Sequence, residues 1–300
     1  MADEDLVQRL TADRRLHRGV LVTAFAGWND AGEAATGAVD AISHLVDAQP
    51  SAQIDPEEFF DFQVNRPTSH LDPSVGRVLD WPHNRFHVAE VGGRDIVLLS
   101  GTEPNLRWRT FTDAVLGYAN ALGITSVMCV GSLQVDTPHT RPVPLTGRGS
   151  SLPAVATLGV RRSDYEGPTG ITGVLTHVAM ERGFETWSIW AGVPHYLAGT
   201  TYAAAAHSLA SVLQRALDVD IDLAPLSDAA TKQQDEIAEV VAADDDLSSY
   251  VAELEERVDA EDDNDDGGFD ELHAENVTGD ELAAAFERYL QERDERTGEG

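Results

Sequence analysis

Apolar positions along the chain follow two alternating periods. Val20–Ala26, reading Val-Leu-Val-Thr-Ala-Phe-Ala, is a short run of β-branched and aromatic residues, the pattern of a strand buried on both faces of a parallel sheet. Past Gly27 the period changes. Ala34, Ala38, Ile42 and Leu45 recur every three or four residues, which predicts an amphipathic helix that Asn29 or Asp30 can cap. The alternation then repeats. Phe86–Val91 and Asp95–Leu99 read as strands joined at Gly92-Gly93, Thr110–Leu122 as a helix and Ile124–Val130 as a strand. A short strand near Ala154–Val160, a helix over Ile171–Arg182 closed by Gly183, a strand over Glu185–Ala191 and an alanine-rich helix from Thr200 or Thr201 to Leu217 follow. Such alternation predicts an α/β fold in which a mostly parallel central sheet carries helices on both faces. Less regular stretches intervene. Residues 1–18 read as a weakly ordered lead-in, Gln49–Pro56 as a loop, Glu57–Gln63 as a strand and 67–84 as a proline-punctuated excursion.

From Ser227 onward the composition shifts. Residues 228–300 hold 26 of the 52 acidic residues but five of the 21 basic ones, in a chain of net charge −31. Ala229–Ala242 and Ser248–Ala260 read as exposed helices separated by Asp244-Asp-Asp246. An acidic break over Glu261–Gly268 precedes a last amphipathic helix, Glu281–Arg293, with Leu282, Phe286 and Leu290 on one face. The chain therefore divides into an α/β domain, 1–226, and an acidic helical C-terminal region, 227–300. This charge disfavours nucleic acid and anionic membranes as partners, since both require cationic neutralisation. No stretch approaches the roughly 20 apolar residues that span a bilayer. The acidic opening Met-Ala-Asp-Glu-Asp lacks the basic start of a signal peptide, so a cytoplasmic location is expected. The single cysteine, Cys129, excludes an internal disulfide and reads as a small core residue.

Candidate chemistry lies in the polar turns that follow the strands. In a doubly wound sheet the carboxyl ends of the strands line the ligand crevice. Asn29, Asp30, Glu33, Glu103, Arg107, His139, Arg141, Glu166 and His195 are expected near one edge of the sheet. There His139 and Arg141 could hold a phosphate or carboxylate, and Glu103 or Glu166 could serve as a general base. The competing expectation is that these groups cap helices, brace turns and satisfy one another. Ser132, in Val130-Gly-Ser-Leu-Gln134, lacks the second glycine of a nucleophile elbow. Gly-x-Gly-x-x-Gly and phosphate-loop motifs are absent, so no cofactor is expected. Gly147-Arg-Gly-Ser-Ser151 reads as a flexible loop. No metal site is expected from the histidine spacing. One near match to a calcium loop places Asp262, Asn264 and Asp266 at its first, third and fifth positions, but His273 stands where a bidentate Glu should close the shell.

Five turns taken together resemble the PAC2 family, named for a proteasome assembly chaperone: Phe25-Ala-Gly-Trp-Asn-Asp-Ala-Gly-Glu33, Gly101-Thr-Glu-Pro-Asn-Leu-Arg-Trp108, Val135-Asp-Thr-Pro-His-Thr-Arg-Pro142, Glu166-Gly-Pro-Thr-Gly-Ile171 and Val193-Pro-His-Tyr196. Asp280-Glu-Leu-Ala-Ala-Ala-Phe-Glu-Arg-Tyr-Leu290 also resembles the C-terminal helix of actinobacterial members. The resemblance implies a three-layer α/β/α fold related to purine nucleoside phosphorylases and peptidyl-tRNA hydrolases. It also implies a non-enzymatic, homo-oligomeric assembly factor with a protein partner, such as proteasome subunits. Some relatives dock through a C-terminal hydrophobic-Tyr-X tail. The last residues here, Arg296-Thr-Gly-Glu-Gly300, do not carry that pattern. The alternative class is a hydrolase or phosphorylase-like enzyme acting on a small anionic substrate in the crevice.

Overall fold

The computed structural model describes residues 6–12, 15–17, 19–150, 158–197 and 199–262. In chain order its strands are β1 (Val7–Arg9), β2 (Val20–Ala26), β3 (Gln49–Ile54), β4 (Thr68–Asp72), β5 (Gly76–Asp80), β6 (Asn84–Val91), β7 (Arg94–Thr102), β8 (Ser126–Val135), β9 (Leu145–Gly149), β10 (Arg161–Arg162) and β11 (Glu185–Pro194). The helices are α1 (Ala34–Leu45), α2 (Trp108–Leu122), α3 (Ile171–Glu181), α4 (Ala203–Leu217), α5 (Ala224–Ala242) and α6 (Asp245–Asp262). Nine strands form one sheet in the order β1-β3-β6-β7-β2-β8-β11-β9-β10, and β4 and β5 form a separate hairpin.

The centre of the sheet is parallel: β7, β2, β8 and β11 run side by side in one direction. Antiparallel strands flank it, with β6, β3 and β1 beyond β7 and β9 beyond β11. The apolar runs seen in the sequence are these central strands. Their residues alternate between two cores, as the two-residue period of a strand requires. Val20, Val22 and Ala24 of β2 join Ile96 and Leu98 of β7 and Met128 and Val130 of β8 beneath α1 and α4. Leu21, Phe25, Val97, Leu99, Val127 and Cys129 point to the other face, beneath α2 and α3. The result is the expected α/β/α sandwich. Cys129 is a buried core residue, and burial raises its thiol pKa.

Several local expectations are overturned. Gln49–Ile54 is a strand rather than a loop, with a register irregularity between Pro50 and Ala52. Glu57–Gln63 is not a strand: Pro56 opens a tight helical turn capped by Asp55, and Phe59 and Phe60 are buried beyond it. The 67–84 excursion contains the β4–β5 hairpin. Leu6 and Leu16 of the lead-in are buried, and β1 pairs with β3. Gly147 lies in β9 instead of a flexible loop. The helices after Ser227 are not simply exposed, because Ile237 and Val240 of α5 and Leu247, Val251 and Leu254 of α6 join the core beneath α1 and α4. The helix expected over Glu281–Arg293 lies outside the described residues, as does most of the strand near Ala154–Val160.

Phe111 anchors the second core. It is fully buried, with Phe25 and Phe59 edge-on at 5.7 and 5.3 Å between ring centroids. Phe111→Ala is expected to lower the unfolding free energy by about 3–5 kcal/mol, a loss that a urea titration would read as a fall in midpoint.

Candidate functional site

The four parallel strands end on one rim, where the chemistry-bearing turns begin. β2 stays in register with β7 as far as Ala26 opposite Thr102, but with β8 only as far as Thr23 opposite Cys129. Beyond that point β2 and β8 part, which is the geometry that opens a crevice in a doubly wound sheet. Here the gap is closed by the turn after β2. The Asn29 carbonyl accepts the Ser132 N–H at 2.8 Å, and a single bridge joins Asp30 to Ser132. The Asn29 side chain is buried, and its Nδ2 donates to Glu103 Oε1 at 2.8 Å. The same oxygen accepts the N–H of Ile171, the first residue of α3, also at 2.8 Å. Glu103 therefore caps a helix far along the chain, satisfying an amide that helix geometry leaves without an internal partner. Gly170 lies against Asn29 with extended backbone angles; a Cβ there would sit 2.0 Å from Nδ2. Glycine is required at this position for space rather than for conformational freedom.

Asp30 turns the other way. Its Oδ1 accepts the N–H groups of Ala35 and Thr36 at 2.8 and 3.1 Å, and its Oδ2 accepts the Thr36 hydroxyl. It thus serves the first turn of α1, as the sequence anticipated, while burial raises its pKa above the ordinary carboxylate value. The Ser132 hydroxyl donates to the Ala31 carbonyl at 2.8 Å.

The ends of β8 and β11 carry a second network. His139 is buried. Its backbone N–H donates to the Tyr196 hydroxyl at 2.8 Å, and its Nδ1 lies 2.7 Å from the same oxygen. Burial lowers the His139 pKa and raises that of Tyr196. Both groups are therefore favoured in their neutral forms, with one hydrogen bond between the phenol oxygen and Nδ1. His195 Nδ1 is 3.0 Å from Asp136 Oδ1, and its Nε2 is 3.1 Å from the Tyr250 hydroxyl, on α6. Tyr250 is pushed up to about 12, first by burial and then by the Asp136 charge. Arg141 forks onto Asp259, with Nε–Oδ1 and Nη2–Oδ2 both 2.7 Å, and reaches Glu255 at 3.3 Å. These partners hold its guanidinium firmly protonated.

Of the nine positions singled out, Asn29, Asp30 and Glu103 meet in the first network, and His139, Arg141 and His195 in the second. Glu33 and Glu166 face solvent. Arg107 pairs with Glu58 and lies over the Phe59 ring, 5.8 Å from its centroid. Sequence reasoning missed Asp136, Tyr196, Tyr250, Glu255 and Asp259. For α6 the overlooked signal is the spacing of Leu247, Tyr250, Val251 and Leu254, which gives that helix an inner face. Among the described residues no group of three or more His, Cys, Asp or Glu is placed to hold a metal ion. The calcium-loop positions Asn264 and Asp266 lie outside the described residues, and Asp262 is the last residue of α6.

A parallel-centred α/β/α sandwich whose switch point is shut by an Asn–Glu pair defines the class, and the comparisons agree with it. Residues 24–241 match the model of the PAC2 family, and the chain belongs to that family. A PAC2 family protein from Streptomyces avermitilis is 41% identical, with a TM-score of 0.71 over 78% of this chain and 99% of its own. A Mycobacterium tuberculosis proteasome-assembly chaperone homologue is also 41% identical, with a TM-score of 0.70 over 77% of this chain and 99% of its own. The Pyrococcus furiosus proteasome activator PbaB shares the fold at 15% identity and a TM-score of 0.63, over 78% of this chain and 97% of its own. Comparison with curated proteins finds no match. No helix among the described residues is long and apolar enough to cross a membrane.

Glu103→Ala removes the acceptor of two hydrogen bonds and should destabilise the fold by about 1–3 kcal/mol in urea titrations. Glu103→Gln retains an oxygen acceptor and should lose less. A pH dependence also follows. The folded state lowers His139 below its ordinary value of 6.5, so the unfolded chain binds the proton more readily. The stability tied to the neutral ring is complete above that value and is lost as pH falls from it toward the lowered one. His87, lowered by burial, acts in the same direction. His139→Gln should reduce the slope of stability against pH between about 7.5 and 5.5.

Proposed function

We propose that this protein is a non-enzymatic assembly factor that works by binding other proteins, with proteasome subunits as its partners. The observation that carries this reading is the commitment of the rim's reactive groups to partners in the same chain. Glu103 is engaged in capping, the Ser132 hydroxyl in bonding Ala31, His139 in bonding Tyr196, and Arg141 in pairing with Asp259 and Glu255. A general base needs a free lone pair directed at substrate, whereas Glu103 Oε1, Ser132 Oγ, His139 Nδ1 and the Arg141 guanidinium are directed at neighbours in the same chain.

Two further observations support the reading. The Mycobacterium tuberculosis relative, 41% identical, is described as a proteasome-assembly chaperone homologue. The surface also exposes apolar side chains of the kind that mark protein contacts: Leu71, Val75 and Leu79 of the hairpin are at least half exposed, and Trp28 is two-thirds exposed. Association of the chain with its own copies belongs to the same proposal.

Reconstitution tests it. Purified proteasome α and β subunits from the same organism are mixed with and without the full-length protein, and half-size and full-size particles are counted by native electrophoresis and mass photometry. A several-fold gain in the rate of particle formation, retained by folded Glu103→Gln and His139→Gln variants, is expected. Unchanged assembly together with no complex between the protein and either subunit would overturn the reading.

A further inference from the structure

The match to the family model ends at residue 241, short of α6. That helix nevertheless makes the most specific contacts at the rim. Leu247, Val251 and Leu254 are 4, 5 and 2% exposed. Between them Tyr250 lies edge-on to His195 and Tyr196, with ring centroids 5.7 and 6.2 Å away. These four residues stand at i, i+3, i+4 and i+7, the spacing by which an amphipathic helix fills a groove. Directly after the last anchor Glu255, and one turn on Asp259, close on Arg141, and the Thr140 hydroxyl donates to Glu255. Arg257 reaches back to the Asp136 carboxylate at 3.3 Å and to its carbonyl at 3.1 Å. The receiving side, formed by Asp136, Thr140, Arg141, His195 and Tyr196, lies wholly within the family-matched region, and α6 supplies the rest.

We propose that this groove is a receptor for an acidic amphipathic helix of a partner protein, and that α6 is its resident occupant in cis, displaced when the partner's helix binds. The proposal rests on the protein-binding reading above and names the kind of segment bound. Charge selects the ligand. The groove presents Arg141 as a two-donor fork and, beside it, the Asp136 carboxylate, so a helix carrying two carboxylates one turn apart with a cation between them matches it, as Glu255, Arg257 and Asp259 do. Physical considerations favour exchange. Ion pairs at a half-exposed rim contribute little, which leaves the apolar anchors to hold α6. Two residues, Ala243 and Asp244, connect it to α5. A tethered occupant competes at an effective concentration on the order of millimolar, so the wild-type groove should bind a free helix only weakly until α6 is loosened.

A labelled peptide of residues 244–260 serves as the probe, with binding to the full-length protein read by fluorescence anisotropy. A chain carrying Glu255→Lys and Asp259→Lys should bind this peptide about tenfold more tightly than the wild type, because its own α6 then sets two cations against Arg141 and competes less well. A chain carrying Arg141→Glu should reverse the preference and favour a peptide with the same two lysine substitutions. If the lysine variants fail to melt cooperatively, Glu255→Gln with Asp259→Asn replaces them, with a smaller gain expected in the same direction. Hydrogen exchange gives an independent readout: α6 amides should exchange at least tenfold faster than those of α4. Equal peptide binding by all folded variants, or α6 protection equal to that of α4, would overturn the proposal. Assembly activity that persists in reconstitution after such a result would leave the broader function standing and remove this inference alone.

Discussion

One carboxylate oxygen, Oε1 of Glu103, sets the character of the rim. By accepting from the Asn29 amide and from the Ile171 N–H it ties the turn after β7 to the turn after β2 and to the start of α3. These elements meet where β2 and β8 diverge, the place at which an open α/β sheet would otherwise admit a ligand. Burying polar groups is costly unless they are paired; here Asn29 Nδ2 and the Ile171 N–H share Glu103 Oε1, while Asn29 Oδ1 has no partner among the described residues. Gly170 permits the close approach, and Asp30 and Ser132 seal the adjoining side. The switch point has become a structural joint.

The legible parts of the fold were those governed by periodicity. Val20–Ala26 could be read because a strand with a core on each face must be apolar throughout, and α1 because Ala34, Ala38 and Ile42 share one side of a helix. Strands outside the parallel centre resist such reading. Gln49–Ile54 contains Pro50 and has little β-branched character, and it is a strand only because β6 and β1 supply partners. The aromatic run Phe59-Phe60 misled for the opposite reason: its residues are buried by a tight helical turn, so composition suited a strand that the backbone does not form. Tertiary context decides such segments.

The site divides in the same way. Polar residues after strands could be placed on the rim because topology puts them there. Their partners could not, since Arg141 meets Asp259 across more than a hundred residues of chain. Acidity in the C-terminal region suggested solvated helices, yet acidic side chains of α6 face Arg141 while its apolar side chains join the core. A helix with low overall hydrophobicity can still dock when its few apolar residues share one face, and a count of composition hides that face.

The sheet's outermost strands carry a further consequence. Among the described residues it ends at β1, three residues long and carrying Gln8 and Arg9, and at β10, the pair Arg161–Arg162. Short, charged margins give an incoming extended segment few backbone groups to template upon. Margins of this kind keep the nine-stranded sheet from extending edge to edge into a strand of another chain.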